Sequence, residues 1–287
     1  MLRSILVALD GSESSMRASQ VALELASQHG AHVEGLGIVN SGLIQRPELV
    51  PIGGTTIKAA LDLHKVRTAR ERVDRVLEEF KAQAANAGLS SHDIRAAEGD
   101  PLQLIARKAT ASDLIALGRR SIFDVEGELY DLPVCVERIV REEPRPILLV
   151  PAKTSESEVA SRERSILVAF DGSAAASRAL HMFALLRLAR GRAVHVMTVA
   201  DESDAAMETA GRACELLARH GTPHARAIGL GDREAGTPAE TILGLAKSLK
   251  VEVIVMGAYG HHGIREIFGS TTREVLNASP TVLFLHH

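Results

Sequence analysis

Ten residues near the start of the chain, Arg3-Ser-Ile-Leu-Val-Ala-Leu-Asp-Gly-Ser12, return as Arg164-Ser-Ile-Leu-Val-Ala-Phe-Asp-Gly-Ser173, with nine of the ten identical. A repeat of that kind, set about half a chain apart, restricts the sequence to two copies of one architecture. In each copy a short run rich in Ile, Leu and Val reads as a strand buried on both faces. The Asp-Gly-Ser that ends it is a turn and helix-capping sequence. Helical runs follow from Met16 to His29 and from Ser177 to Arg190, and second strands from His32 to Val39 and from Ala193 to Ala200.

The copies then differ. The first has a loop from Asn40 to Thr55 and a charged helix from about Lys58 to Ala87, whereas the second passes almost directly into a helix from Asp204 to His220. They converge at a third strand, Ser91 to Glu98 and His224 to Leu230. Gly99-Asp-Pro101 and Gly236-Thr-Pro238 come next, and each places proline where a helix begins and a missing N–H costs nothing. Fourth strands end at Gly118 and Gly257, and fifth strands follow Pro146 and Pro280. Strands alternating with helices predict an α/β fold, with a parallel sheet and helices on both faces in each half. The polar stretch from Lys153 to Glu163 is a linker by composition, so domains are expected over 1–152 and 163–287.

A chain of 287 residues suits two domains of that size, and its 46 % hydrophobic content supports ordinary cores. The charge balance, 33 basic against 36 acidic residues, gives no field that would draw nucleic acid or an anionic membrane. No stretch reaches the roughly 18 apolar residues of a membrane span. Cys135 and Cys214 lie in different halves and outside any ligand or disulfide pattern, which fits a reducing cytoplasm.

Chemistry concentrates after the fourth strand of the second half. Val251 to Met256 is apolar, and Gly257, Gly260, Gly263 and Gly269 follow before Ser270, Thr271 and Thr272 open a helix. Glycines let backbone N–H groups approach an anion, and a helix start adds unpaired donors. The spacing is neither a P-loop nor the dinucleotide fingerprint. Gly257-x-x-Gly260, eight residues from His261 to Phe268, then Gly269-Ser270 resembles the nucleotide-binding signature of universal stress proteins of the UspA type, with one residue fewer in the spacer. With the Asp-Gly-Ser and Gly-x-Pro turns, the resemblance spans nearly the whole chain and has the form of two such domains in tandem.

That resemblance implies two five-stranded open sheets of order 3-2-1-4-5, with ATP lying across the reversal between strands one and four. Val199 and Ala200 would face the adenine. Ala169, Phe170 and Asp171 would flank the nucleoside, with the Asp171 carboxylate reaching the ribose or a phosphate-bound Mg²⁺. Met256, Gly257, Gly260, His261 and Gly269 would line the phosphates, and Ser270, Thr271 and Thr272 would supply hydroxyls. Read without the resemblance, Asp171 is a helix-start residue, His261 sits in a solvated loop, and His286 and His287 are exposed.

In the first half Gly118 is followed by Arg119, Arg120 and Ser121, and Cys135 and Val136 stand opposite Gly269 and Ser270. Asp124, Glu126, Glu128 and Asp131 put like charges where phosphates would sit. One nucleotide per chain, in the second half, is therefore expected. The leading reading is an ATP-binding stress-response or signalling protein. Two alternatives stay open: a Mg²⁺-dependent enzyme, at most a slow ATPase, and an interaction protein with a vestigial pocket. The last strands, Ile147 to Val150 and Val282 to Leu285, are expected to pair within the chain, and a homodimer is a further assembly that this leaves open.

Overall fold

The computed structural model describes residues 1–48, 51, 54–121, 123, 133–152, 165–232, 235–258 and 270–287. The contacts divide into two units, one of Arg3–Glu143 and one of Met1–Leu2 with Pro144–His287.

The N-terminal unit runs β1 (Ser4–Leu9), α1 (Glu13–His29), β2 (His32–Val39), α2 (Ser41–Ile44), α3 (Thr55–Asn86), β3 (His92–Glu98), α4 (Pro101–Ala109), β4 (Leu114–Gly118) and α5 (Val134–Glu142). Its strands lie in the order β3-β2-β1-β4, all parallel. Nearly every residue of β1 and all of β4 are buried, because a parallel strand is covered on both faces. The helix starts are those the sequence marks. Ser12 caps α1 through Ser15 N–H, and Asp100 caps α4 ahead of Pro101. The helix α2 falls in a stretch expected to be loop, where the Asn40 side chain accepts the Leu43 N–H and closes one turn.

The second unit runs β5 (Ile147–Val150), β6 (Ser165–Ala169), α6 (Ala174–Leu186), β7 (Ala193–Ala200), α7 (Ser203–Arg219), β8 (Arg226–Gly231), α8 (Pro238–Ser248), β9 (Val251–Gly257), α9 (Ser270–Ala278) and β10 (Val282–His286). Its order is β5-β10-β9-β6-β7-β8. Among the described strands five are parallel and β5 is antiparallel to β10, with Leu149, Leu148 and Ile147 opposite Leu283, Phe284 and Leu285. The two final apolar strands thus pair with each other, which removes two sticky edges at once. The core is aliphatic. Within it Phe183 lies edge-on to Phe284, with ring centres 5.8 Å apart.

Candidate functional site

In the second unit the strand order reverses between β6 and β9, where an open sheet leaves a crevice at its carboxyl edge. The β6–β7 ladder ends at Ala169 opposite Met197, so Thr198, Val199 and Ala200 run past the end of β6. Phe170 N–H donates to Met197 O at 2.9 Å, and Asp232 N–H donates to Ala200 O at the same distance. Backbone polar groups alternate sides along a strand, so Val199 turns its N–H and C=O towards the β6 side. Of the two residues expected to face an adenine, Val199 is the one whose backbone points into the crevice. The Ala200 carbonyl is already engaged.

Beside it, Asp171 is exposed. Its Oδ1 accepts the Ser173 N–H at 2.9 Å, and Ser173 Oγ in turn caps α6 by accepting the Ala176 N–H at 3.1 Å. The helix-start role read from Asp-Gly-Ser is therefore present. It uses one carboxylate oxygen, and among the described residues the other has no partner. Ala169 and Phe170 are half-buried, and the Phe170 carbonyl accepts the Thr198 hydroxyl at 2.7 Å.

Gly257 ends β9 against the first turn of α6, where a Cβ would come within 2.7 Å of Ala176 N. Met256 before it is buried. At the start of α9, Ser270 is exposed and Thr271 half-buried. Thr272 joins Val275 and Leu276 on the buried stripe of the helix, at i, i+3 and i+4. Gly260, His261 and Gly269 lie outside the described residues.

The equivalent place in the N-terminal unit is built alike but covered. Asp10 is 1 % exposed, and its Oδ1 accepts both the Ser12 N–H and the Ser12 hydroxyl. Arg72 of α3 donates its Nε–H to the Asp10 carbonyl at 2.9 Å. Ile38 and Val39 are buried, whereas Val199 and Ala200, at the same point of the repeat, are half-exposed. The start of α5, Val134-Cys135-Val136, offers no side-chain hydroxyl. Burial, and then the neighbouring Arg120, hold Arg119 below the usual guanidinium range. Asp124, Glu126, Glu128 and Asp131 lie outside the described residues. Nothing in the sequence reading pointed to Arg72, which sits on a helix that reads as uniformly charged.

His286 and His287, expected to be exposed, are half-buried. Burial, then His287 and Arg178, push the His286 imidazole down to about 4. The cause of the difference is the ladder, which carries β10 as far as His286 opposite Gly257 and packs the strand end under α6. Among the described residues no three His, Cys, Asp or Glu side chains gather as a metal-binding group. None of the described helices is long and apolar enough to cross a membrane.

The fold and strand order define an open α/β protein with its crevice at the strand reversal. Comparison with known proteins narrows the class. The universal stress protein family model matches residues 1–151 and 231–285, and the chain belongs to that family. A universal stress protein of Synechocystis sp. is 26 % identical over 288 residues, covering 96 % of each chain. One from Thermus aquaticus is 32 % identical over 155 residues, which is 52 % of this chain and 99 % of the relative. The crystal structure of a universal stress protein from Archaeoglobus fulgidus matches with a TM-score of 0.71 at 21 % identity, covering 99 % of this chain and 97 % of the other, which is agreement in fold.

Proposed function

We propose that the chain binds one adenine nucleotide, ATP, in the crevice of the second unit, and acts in the cytoplasm as a nucleotide-dependent stress-response or signalling module. The observation that carries this reading is the overrun of β7 past β6. Among the described residues it leaves the Val199 backbone without a β6 partner on the crevice side, next to an exposed Asp171 with one oxygen free of the turn. A peptide N–H and C=O side by side suit the edge of a planar base, and a carboxylate suits ribose hydroxyls. Ser270 and Thr271 stand at the start of α9, where donors and the helix dipole favour phosphate. Gly260, His261 and Gly269 complete the phosphate loop in this reading. Mg²⁺ commonly takes one or two carboxylates and completes its shell with phosphate oxygens and water, so Asp171 is the residue that would hold it.

The test is to denature the purified protein, identify any released nucleotide and measure its ratio to chain. One adenine nucleotide per chain is the expected result. A chain that releases none and shows no heat of ATP binding overturns the reading.

A further inference from the structure

The outer strands β3 and β8 stand at the same point of the repeat, and each has one strand neighbour among the described residues. Their ladders align residue by residue. Glu34 faces Asp93 in one, and its counterpart His195 faces Arg226 in the other. Ile228 and Gly231 therefore occupy the places held by Arg95 and Glu98. The β3 edge is charged and its charges are engaged: Asp93 lies 3.7 Å from His32, Arg95 3.2 Å from Glu34, and Glu98 2.8 Å from Arg70. Such charges keep an exposed edge from pairing with another chain. The β8 edge instead carries half-buried Ile228 and Leu230. Exposed Arg226 and Asp232 bracket them and form no ion pair among the described residues.

Asp232 N–H donates to Ala200 O, so alternation along the strand turns the N–H and C=O of Ala227, Gly229 and Gly231 away from β7. A Cβ at Gly229 would come within 2.3 Å of Met207 N, and one at Gly231 would lie 3.0 Å from Ser203 Oγ, so this side of the strand faces α7. Arg226, Ile228 and Leu230 share the opposite face, which Asp232 continues. The helix lays Ala206, Ala210, Ala213 and Leu217 on the sheet. Its Thr209 flank is turned to the crevice, where Thr209 Cγ2 would lie 3.8 Å from a Cβ at Gly172. Met207 and Gly211 are on the other flank, facing out past β8. Met207 is 46 % exposed, and a Cβ at Gly211 would meet nothing within 4 Å. Among the described residues, then, a row of unpaired backbone groups is bordered above and below by small or apolar residues.

We propose that β8 binds a second copy of this chain, pairing antiparallel with its own equivalent about a two-fold axis at Gly229. The residues whose backbone faces outward form the hydrogen-bonded pairs, Gly229 with Gly229 and Ala227 with Gly231. The closer, non-bonded pairs set Ile228 against Leu230 and Arg226 against Asp232, once on each side of the axis. Among the self-pairings of this edge it is the one that brings Arg226 opposite Asp232, so the charges left unpaired in one copy are answered by the other. The contact is isologous and closes at two chains. On the other face the two α7 helices meet at Met207, and Gly211 leaves room for a close crossing. The edge formed by the final strands is not open to a second copy, because β5 and β10 cover each other. The pairing is independent of any nucleotide in the crevice.

The experiment is sedimentation equilibrium of the full chain up to millimolar concentration, with circular dichroism as the control for folding. The wild type is expected to dimerise. Arg226→Asp and Asp232→Arg each set like charges opposite one another on both sides of the axis, and each is expected to weaken association at least about tenfold. Both positions are exposed, so the fold is expected to survive. The double reversal, Arg226→Asp with Asp232→Arg, restores opposite charges and is expected to dimerise as the wild type does. Ile228→Lys, which gives this edge a charge where β3 has Arg95, is expected to be monomeric. A monomeric wild type, whose edge is then left to solvent or to a different partner, overturns the inference. A dimer that neither single reversal nor Ile228→Lys weakens overturns it too, as does a double reversal that associates no more tightly than the singles.

Discussion

Gly257 at the end of β9 touches Ala176 in the first turn of α6 so closely that a Cβ would sit 2.7 Å from the Ala176 nitrogen. Gly118 stands in the same relation to Ser15, whose nitrogen would lie 2.6 Å from its Cβ. A glycine that reads as part of a phosphate loop thus has a packing reason that operates in both units. Gly257→Ala and Gly118→Ala should each cost about 1–3 kcal/mol by overpacking against backbone that cannot yield cheaply. Denaturant melts of the two variants measure this. A Gly118→Ala chain as stable as the wild type would defeat the packing account.

The β5–β10 pair supports a second prediction. Phe284 is fully buried, meets Phe183 edge-on and stands opposite Leu148. Phe284→Ala should cost about 3–5 kcal/mol, within the range for emptying an aromatic core position. Hydrogen exchange of Leu148 and Leu149 should accelerate with it, since β5 loses the face it is paired to. Unchanged protection in β5 would mean that its order does not depend on β10.

His286 gives a pH dependence with a definite sign. Its imidazole is held down to about 4 from 6.5, first by burial and then by the charges of His287 and Arg178. Between those values the unfolded chain binds the proton and the folded chain does not, so stability falls as pH drops from about 6.5 towards 4. Allowing for the partial exposure of the ring, the loss is on the order of 1–2 kcal/mol. His286→Gln should flatten that stretch of the melting-temperature curve. An identical slope in the variant would show that the acid sensitivity comes from other groups.

How much of this was legible beforehand follows the range of the interactions involved. The strands of the repeat were readable because a parallel strand is apolar along its whole length, and the helix starts because Ser12, Ser173 and Pro238 act on their own neighbours. The pairing of Ile147–Val150 with Val282–Leu285 was legible from the family resemblance, and it gives two apolar edges the cover they require. Arg72 was not, since its reach to Asp10 crosses 62 residues and depends on how closely α3 settles on β2, where a Cβ at Gly37 would lie 2.5 Å from Val73 Cγ1. The one signal available was the pair Gly35 and Gly37 inside a buried strand, a sign of close approach by another element. His286 was misread for a related reason, because its burial is set by α6 and by the register of β10 rather than by its place in the sequence.

Ser270 is the exposed hydroxyl at the start of α9, in the position the proposed phosphate chain would reach. Removing it deletes one hydrogen bond to a charged group, worth about 1.5–3 kcal/mol. ATP should therefore bind Ser270→Ala roughly ten- to a hundredfold more weakly. Adenosine, which ends at the ribose, should be almost unaffected, and AMP and ADP should fall between. The exposed position makes a large loss of fold stability unexpected, so melting curves serve as the control. Titrations of the four ligands against wild type and variant give the answer directly. A loss that is equal for adenosine and ATP would mean that Ser270 acts through the fold, and the start of α9 would no longer stand as the phosphate end of the site.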